Sequence, residues 1–235
     1  MNLFDATLFT GKPDLTRDGF RKLKLVSRGT LFPSGADPLA IPSDATLTAV
    51  LSGVTHLTAL DIDHWAQPEP YIKLLSRIHT LYPGLRVGYY DVAPKRDYWR
   101  AIRPASDPKY SVWQAENDAL RPIAEQADVL FPSLYTFYPD QAGWFRYATS
   151  NVIEARRYNK VLYPFLCPFY HPSNPELRGQ PIPADYWRIQ LDTCLALNVD
   201  GIVLWGGFKI PWDPQAPWWL ETLSFMARED DSGAT

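Results

Sequence analysis

Cysteine is nearly absent from this chain: Cys167 and Cys194 are the two in 235 residues. Two cysteines cannot make the disulfide framework that holds small secreted domains together. Neither sits in a metal-ligand spacing, and both read as small buried apolar residues. With four histidines and no H-E-x-x-H, H-x-E or paired-cysteine run, the sequence predicts no metal and no cofactor. Glycine is sparse, at 13. The stretch after the first apolar run, Thr10-Gly11-Lys12-Pro13, holds one glycine, which excludes a glycine-rich phosphate loop there. No serine or cysteine sits in a nucleophile elbow. No apolar run is long enough to span a bilayer. Met1-Asn2-Leu3-Phe4-Asp5 lacks the basic-then-apolar order of a signal peptide. The expectation is a soluble chain, cytoplasmic or released by a non-standard route. The net charge of −3 gives no reason to expect nucleic acid or an anionic membrane as partner.

Proline, tyrosine and tryptophan are abundant, at 22, 13 and 9 residues. Proline at this density marks strand ends and loops. Nine tryptophans exceed the needs of a core this size, so some are expected to line a surface on which a flat ligand stacks. Hydrophobic residues make up 46% and charged residues 21%, the balance of a folded chain rather than a disordered one.

Short β-rich runs alternate with helical patterns. The strands are expected at Leu3–Phe9, Leu23–Ser27, Leu57–Ile62, Val87–Val92, Val129–Tyr135, Val161–Leu166 and Gly201–Trp205. Most are near-continuous apolar runs, as parallel strands buried on both faces require. Helical patterns fall at Tyr71–Leu81, Val112–Gln126, Trp144–Tyr158, Ala184–Leu197 and Trp218–Arg228. Pro83-Gly84 and Asp200-Gly201 punctuate two of the boundaries. This alternation predicts βαβ units and an α/β fold, a (β/α) TIM-type barrel with seven clear strands. An eighth strand is sought around Thr46–Leu51. A complete barrel runs to about 250 residues, so this would be a trimmed one. The expected organisation is one domain over residues 1–228 and a flexible tail over 229–235.

In such a barrel the site lies at the C-terminal ends of the strands. The third run ends Leu60-Asp61-Ile62-Asp63-His64-Trp65. Side chains alternate along a strand, so Asp61 and Asp63 share a face once Leu60 and Ile62 turn to the helices. Two close carboxylates push each other's pKa values apart and leave one acid and one anion, the pair that glycoside hydrolysis uses. The plainer alternative is that Asp63 caps the next helix and Asp61 is a solvated strand end. The other strand ends bring Tyr89, Tyr90 and Asp91, then Ser133 and Tyr135, then Tyr170 and His171, then Trp205. Aromatic faces with short carboxylates suit sugars, which present apolar C–H faces and a fringe of hydroxyls. The alternative for each ring is core filler. His64 and His171 read as hydrogen-bonding loop residues.

Asp61-Ile62-Asp63-His64-Trp65 resembles the D-x-E-x-W run of the hyaluronidase family of glycoside hydrolases. Phe131-Pro132-Ser133-Leu134-Tyr135 is similar to that family's Y/F-P-S-I-Y motif. Gly201-Ile202-Val203-Leu204-Trp205-Gly206 is similar to its G-V-V-L-W-G motif, and Gly88-Tyr89-Tyr90 resembles a further segment. The matches follow the family's order across roughly residues 57–207. The resemblance implies a retaining mechanism in which the substrate's N-acetyl carbonyl attacks its own anomeric carbon. Asp61 would orient that acetamido group, Tyr135 would hydrogen-bond to it and Trp205 would pack beside it. The family's acid is the glutamate of D-x-E, and here that position holds Asp63. Aspartate is one methylene shorter, about 1.5 Å of reach, and a misplacement of that order can cost roughly 100-fold in rate. A chain this short without the family's disulfides points to a distant bacterial or phage-like relative.

The expected function is therefore cleavage of a glycan containing N-acetylhexosamine. Asp61, Asp63 and Tyr135 would be catalytic, and Trp65, Tyr89, Tyr90, Asp91, Tyr170 and Trp205 would contact the substrate. Two other readings stay open on the residues. One is a non-catalytic carbohydrate-binding barrel that has lost its acid. The other is a lyase or glycosyl transferase drawing on Asp91, His171 or Lys95.

Overall fold

The computed structural model describes residues 1–33, 37, 40–54 and 57–232, with the side chains of 230–232 left aside. The fold is α/β with parallel strands. Strands β1 (Asn2–Thr7), β2 (Arg21–Lys22), β3 (Lys24–Ser27), β4 (Leu57–Asp61), β5 (Arg86–Tyr89), β6 (Val129–Leu130), β7 (Val161–Leu162), β8 (Phe165–Leu166) and β9 (Gly201–Gly206) alternate with helices. The sheets run in the orders β2-β1-β9-β8, β3-β4-β5 and β6-β7. Every ladder is parallel.

Backbone contacts connect these sheets. Leu23 alone separates β2 from β3. The Asp128 amide donates to Val87 and the Asp91 amide to Phe131, tying β5 to the segment that begins with β6. Parallel bridges join Tyr90 to Phe131 and Ser133 to Phe165.

Two apolar layers follow from strand alternation. Leu57 and Ala59 of β4 pack with Phe4, Val129, Phe131, Phe165 and Val203 in one cluster. Leu60 and Ile62 enter the other, larger cluster with the helix residues Leu74, Leu75 and Ile78. Asp61 thus lies on the Leu57–Ala59 face, as the alternation predicts.

The α-helices are α1 (Arg28–Leu31), α2 (Asp44–Leu51), α3 (Pro68–Leu81), α4 (Tyr98–Ala101), α5 (Pro108–Ala119), α6 (Arg121–Gln126), α7 (Gln141–Arg156), α8 (Ala184–Ala196) and α9 (Pro217–Ser232). Local chemistry starts several of them. Asp140 accepts from the Gly143 amide at 2.8 Å, and proline opens α3 and α5, where a missing N–H costs nothing. The pattern expected over Val112–Gln126 is two helices rather than one. The chain turns at Leu120, and Pro122 sits in the first turn of the second helix, Arg121–Gln126. The eighth strand sought at Thr46–Leu51 is a helix, Asp44–Leu51, whose start is capped by Ser43 accepting from the Thr46 amide. Its threonines and valine have strand-like propensity, but the cap and the buried Leu47 and Leu51 override it. At the C-terminal end α9 carries on to Ser232, past the Arg228 boundary expected from the sequence, and residues 233–235 lie outside the described part.

One glycine is required by close approach. A Cβ on Gly88 would lie 1.9 Å from the Val129 carbonyl oxygen. That atom belongs to a neighbouring strand and cannot turn away. Gly88→Ala should therefore destabilise the fold by about 1–3 kcal/mol, the cost of forcing atoms into a packed interior. A urea melt with an unchanged midpoint would show that β5 sits farther from Val129 than this.

Candidate active site

At the C-terminal ends of the strands Asp61, Tyr90, Tyr135, Phe165, Trp205 and Leu25 enclose a pocket of about 110 Å³. These residues come from six strand segments. Tyr135 stacks on Trp205, with ring centroids 5.6 Å apart and planes at 19°. Tyr90 tilts against Tyr135 at 5.9 Å and against Phe165 at 4.8 Å. The apolar walls are therefore fixed by mutual ring packing, and one carboxyl group opens into them.

That carboxyl is held above the ordinary aspartate range. Burial is the larger cause for Asp61, and the negative charge of Asp63 adds to it. Asp63 itself lies just past the end of β4 and is exposed. The pair is thus electrostatically coupled but unequal in environment, one member in the pocket and one in solvent.

A third carboxylate joins them. Asp91 follows Tyr90 and adopts a left-handed backbone, φ 58°, which aspartate tolerates better than most residues. Its Oδ2 lies 3.2 Å from Arg96 Nη2. Its Oδ1 is buried and has no hydrogen-bond partner among the described residues. Burial pushes its pKa up to about 7; Arg96 opposes that rise, while Asp63 and Asp61 add to it. Arg96 also donates to Ser133 Oγ at 3.2 Å, as does the Tyr90 hydroxyl at 3.1 Å. Ser133 is held from behind, where the Tyr147 hydroxyl donates to its carbonyl at 2.6 Å.

The titration of Asp91 can be read directly. A ¹³C NMR titration of its carboxyl carbon should show a midpoint near pH 7, and a midpoint below 5 would contradict its burial. The sign for stability follows. The folded-state pKa lies above the unfolded value of 3.8, so the folded chain holds the proton more tightly. The contribution to stability is complete below about pH 4 and is lost as pH rises through about 7. His171 is shifted down, by burial first and by the Arg96 charge second, so it stays neutral to lower pH than an ordinary histidine.

The structure separates the other residues singled out in the sequence. Tyr89 faces away from the pocket, buried with its hydroxyl donating to the Tyr71 carbonyl at 2.9 Å. It neighbours Tyr90, and strand alternation sends the two to opposite faces. Trp65 is buried edge-on against Tyr71 and Phe32. Tyr170 is buried in the helix-facing core with Trp65 and Tyr89. These three pack the scaffold instead of lining the pocket. Arg96, Phe165 and Leu25 are site residues the sequence did not single out. Phe165 was visible only as part of an apolar run. Arg96 lies in a loop, and its contact with Ser133 spans 37 residues.

Among the described residues no group of three His, Cys, Asp or Glu side chains is placed to hold a metal ion. No helix among them is long and apolar enough to cross a membrane.

No protein-family model matches the chain, and no curated protein matches it. Solved structures do. Bee venom hyaluronidase superposes with a TM-score of 0.63 at 16% identity, over 98% of this chain and 97% of that one. The chain has the fold of bee venom hyaluronidase. The same enzyme in complex with a hyaluronic acid tetramer gives a TM-score of 0.60 at 15% identity, over 97% and 96% of the two chains.

Proposed function

We propose that this protein is a glycoside hydrolase that cleaves a glycan containing N-acetylhexosamine by a retaining, substrate-assisted mechanism. The observation that carries the reading is the half-buried Asp61 carboxyl set among Tyr90, Tyr135 and Trp205 and coupled to the exposed Asp63. The likeness in fold to bee venom hyaluronidase supports it. The proposal includes the architecture. The parallel sheets act as one seven-stranded ring, with the pocket at the C-terminal mouth, where barrel enzymes keep their chemistry.

The pocket size sets the pose. About 110 Å³ is well below the roughly 300–1,000 Å³ of sites that enclose a whole small molecule. One substituent of an extended chain enters, and the rest lies across the surface. An acetamido group suits it, with the methyl against Trp205 and the N–H toward Asp61. The acetamido oxygen then attacks the anomeric carbon. As that C–O bond forms, the glycosidic C–O bond breaks, and the Asp63 carboxylic acid gives its proton to the leaving oxygen. Asp61 accepts the N–H hydrogen bond and stabilises the developing positive charge. Water next attacks the anomeric carbon, Asp63 takes its proton and the acetamido group is restored. Two inversions leave the configuration retained.

The test is reducing-end release from polysaccharides containing N-acetylhexosamine, with the anomeric configuration of the first product read by NMR. Release with retention is expected. Glycan binding without release across the panel would replace this reading with a carbohydrate-binding barrel that has lost its acid.

A further inference from the structure

A second hollow, of about 550 Å³, opens at the opposite, N-terminal ends of the strands. This volume lies within the roughly 300–1,000 Å³ of small-molecule sites. Its floor is apolar and aromatic, formed by Phe4, Leu57 and Tyr163 from the inner cluster. The Phe4 and Tyr163 rings pack with centroids 4.7 Å apart. Around that floor stand three cations, Arg21, Lys22 and Arg86, and among the described residues no acidic side chain lines the hollow.

Strand register puts the arginines there. Arg21 pairs with Phe4 across the β1–β2 ladder, and Arg86 pairs with Leu57 across the β4–β5 ladder. Two of the three floor residues, Phe4 and Leu57, therefore have an arginine as cross-strand neighbour. The Arg86 guanidinium also sits 5.9 Å from the centre of the Tyr163 ring. Lys22 has Asp14 at 3.8 Å. Neither Arg21 nor Arg86 has a carboxylate within 4.0 Å among the described residues. In a chain of net charge −3, acidic partners are plentiful, yet this rim is left positive. Like charges gathered at one rim repel, and a bound anion relieves that repulsion. The planar guanidinium fork matches carboxylate and phosphate oxygens in pairs.

We propose that this hollow binds a small molecule in which a flat ring carries an oxyanion. The ring lies against Tyr163 and Phe4, and the carboxylate or phosphate is held by Arg21 and Arg86. The site is separate from the Asp61 pocket and stands whether or not the chain cleaves glycans.

The test uses the full chain and four probes, phenyl phosphate, benzoate, inorganic phosphate and phenol, with binding followed by ¹H–¹⁵N NMR. Phenyl phosphate or benzoate should shift the amides of Arg21, Arg86 and Tyr163, and which of the two binds tighter identifies the oxyanion. Inorganic phosphate and phenol should each bind at least about tenfold more weakly, since each lacks one half of the recognition. Arg21→Gln and Arg86→Gln are exposed changes that keep the fold, and each should weaken the tighter probe by about tenfold. Inorganic phosphate binding as well as phenyl phosphate would remove the ring from the proposal. Phenol binding as well as either anion, an unchanged affinity in Arg86→Gln, or no shift with any probe would overturn it.

Discussion

Asp63→Asn should lower kcat/KM for glycan cleavage by about 10²–10⁴-fold, the range that a positioned general acid contributes. Its melting temperature should hardly move, since exposed substitutions away from packing change stability by less than about 0.5 kcal/mol. The asparagine keeps the size and polarity of the side chain and removes only the transferable proton. Asp61→Asn makes a useful partner. Its amide still fits the pocket but cannot offset positive charge on the acetamido nitrogen. Loss of activity is expected there too, with glycan affinity largely retained, because the stacking surface of Tyr135 and Trp205 is untouched. The two losses should not multiply, because the groups act on one transition state. Undiminished cleavage in Asp63→Asn would take Asp63 out of the mechanism, and Asp91 would then be the remaining carboxylate with burial and charge suited to carry a proton.

The pocket was legible in the sequence wherever alternation along a strand decides the matter. Leu60 and Ile62 go to the helices, so Asp61 goes inward, and Tyr90, Tyr135 and Trp205 meet it from other strands. The same rule sends Tyr89 to the face opposite Tyr90, because adjacent residues on a strand cannot both line one pocket. Trp65 and Tyr170 lie beyond strand ends, where alternation lapses. Their burial depends on which rings the loops bring against them, such as Phe32 and Tyr71 around Trp65. Arg96 depends on still longer reach. Nothing near it in the sequence marks its pairing with Asp91 and Ser133, which exists only once the loop after β5 folds over the next strand segment. Segment type fared similarly. Continuous apolar runs announced the strands, whereas Asp44–Leu51 needed its Ser43 cap to be weighed above its β-branched composition.

Trp187→Ala should cost about 3–5 kcal/mol, the usual toll for emptying a buried tryptophan site. In a chain this long that lowers the melting temperature on the order of 10 °C. Trp187 is fully buried on α8 and is held by more than contact. Its indole N–H donates to Thr222 Oγ1 at 2.8 Å, and that hydroxyl donates onward to the Trp218 carbonyl at 2.7 Å. The ring also meets Trp218 edge-on at 6.2 Å. One side chain thus pins α8 to α9, and alanine would leave both a cavity and a buried hydroxyl short of its donor. Trp187→Phe separates the two costs. It keeps most of the ring and loses only the hydrogen bond, so it should cost about 1–3 kcal/mol, the penalty of an unmet buried polar group. Because Trp187 belongs to the helix-facing core rather than the Asp61 pocket, activity measured well below the melting temperature should be unchanged in both variants. Equal losses of stability in the two would mean that the hydrogen-bonded chain through Thr222, and not the volume of the indole, holds α9 in place. A loss of activity without a loss of stability would mean that α8 sets the position of β9 and, through it, of Trp205.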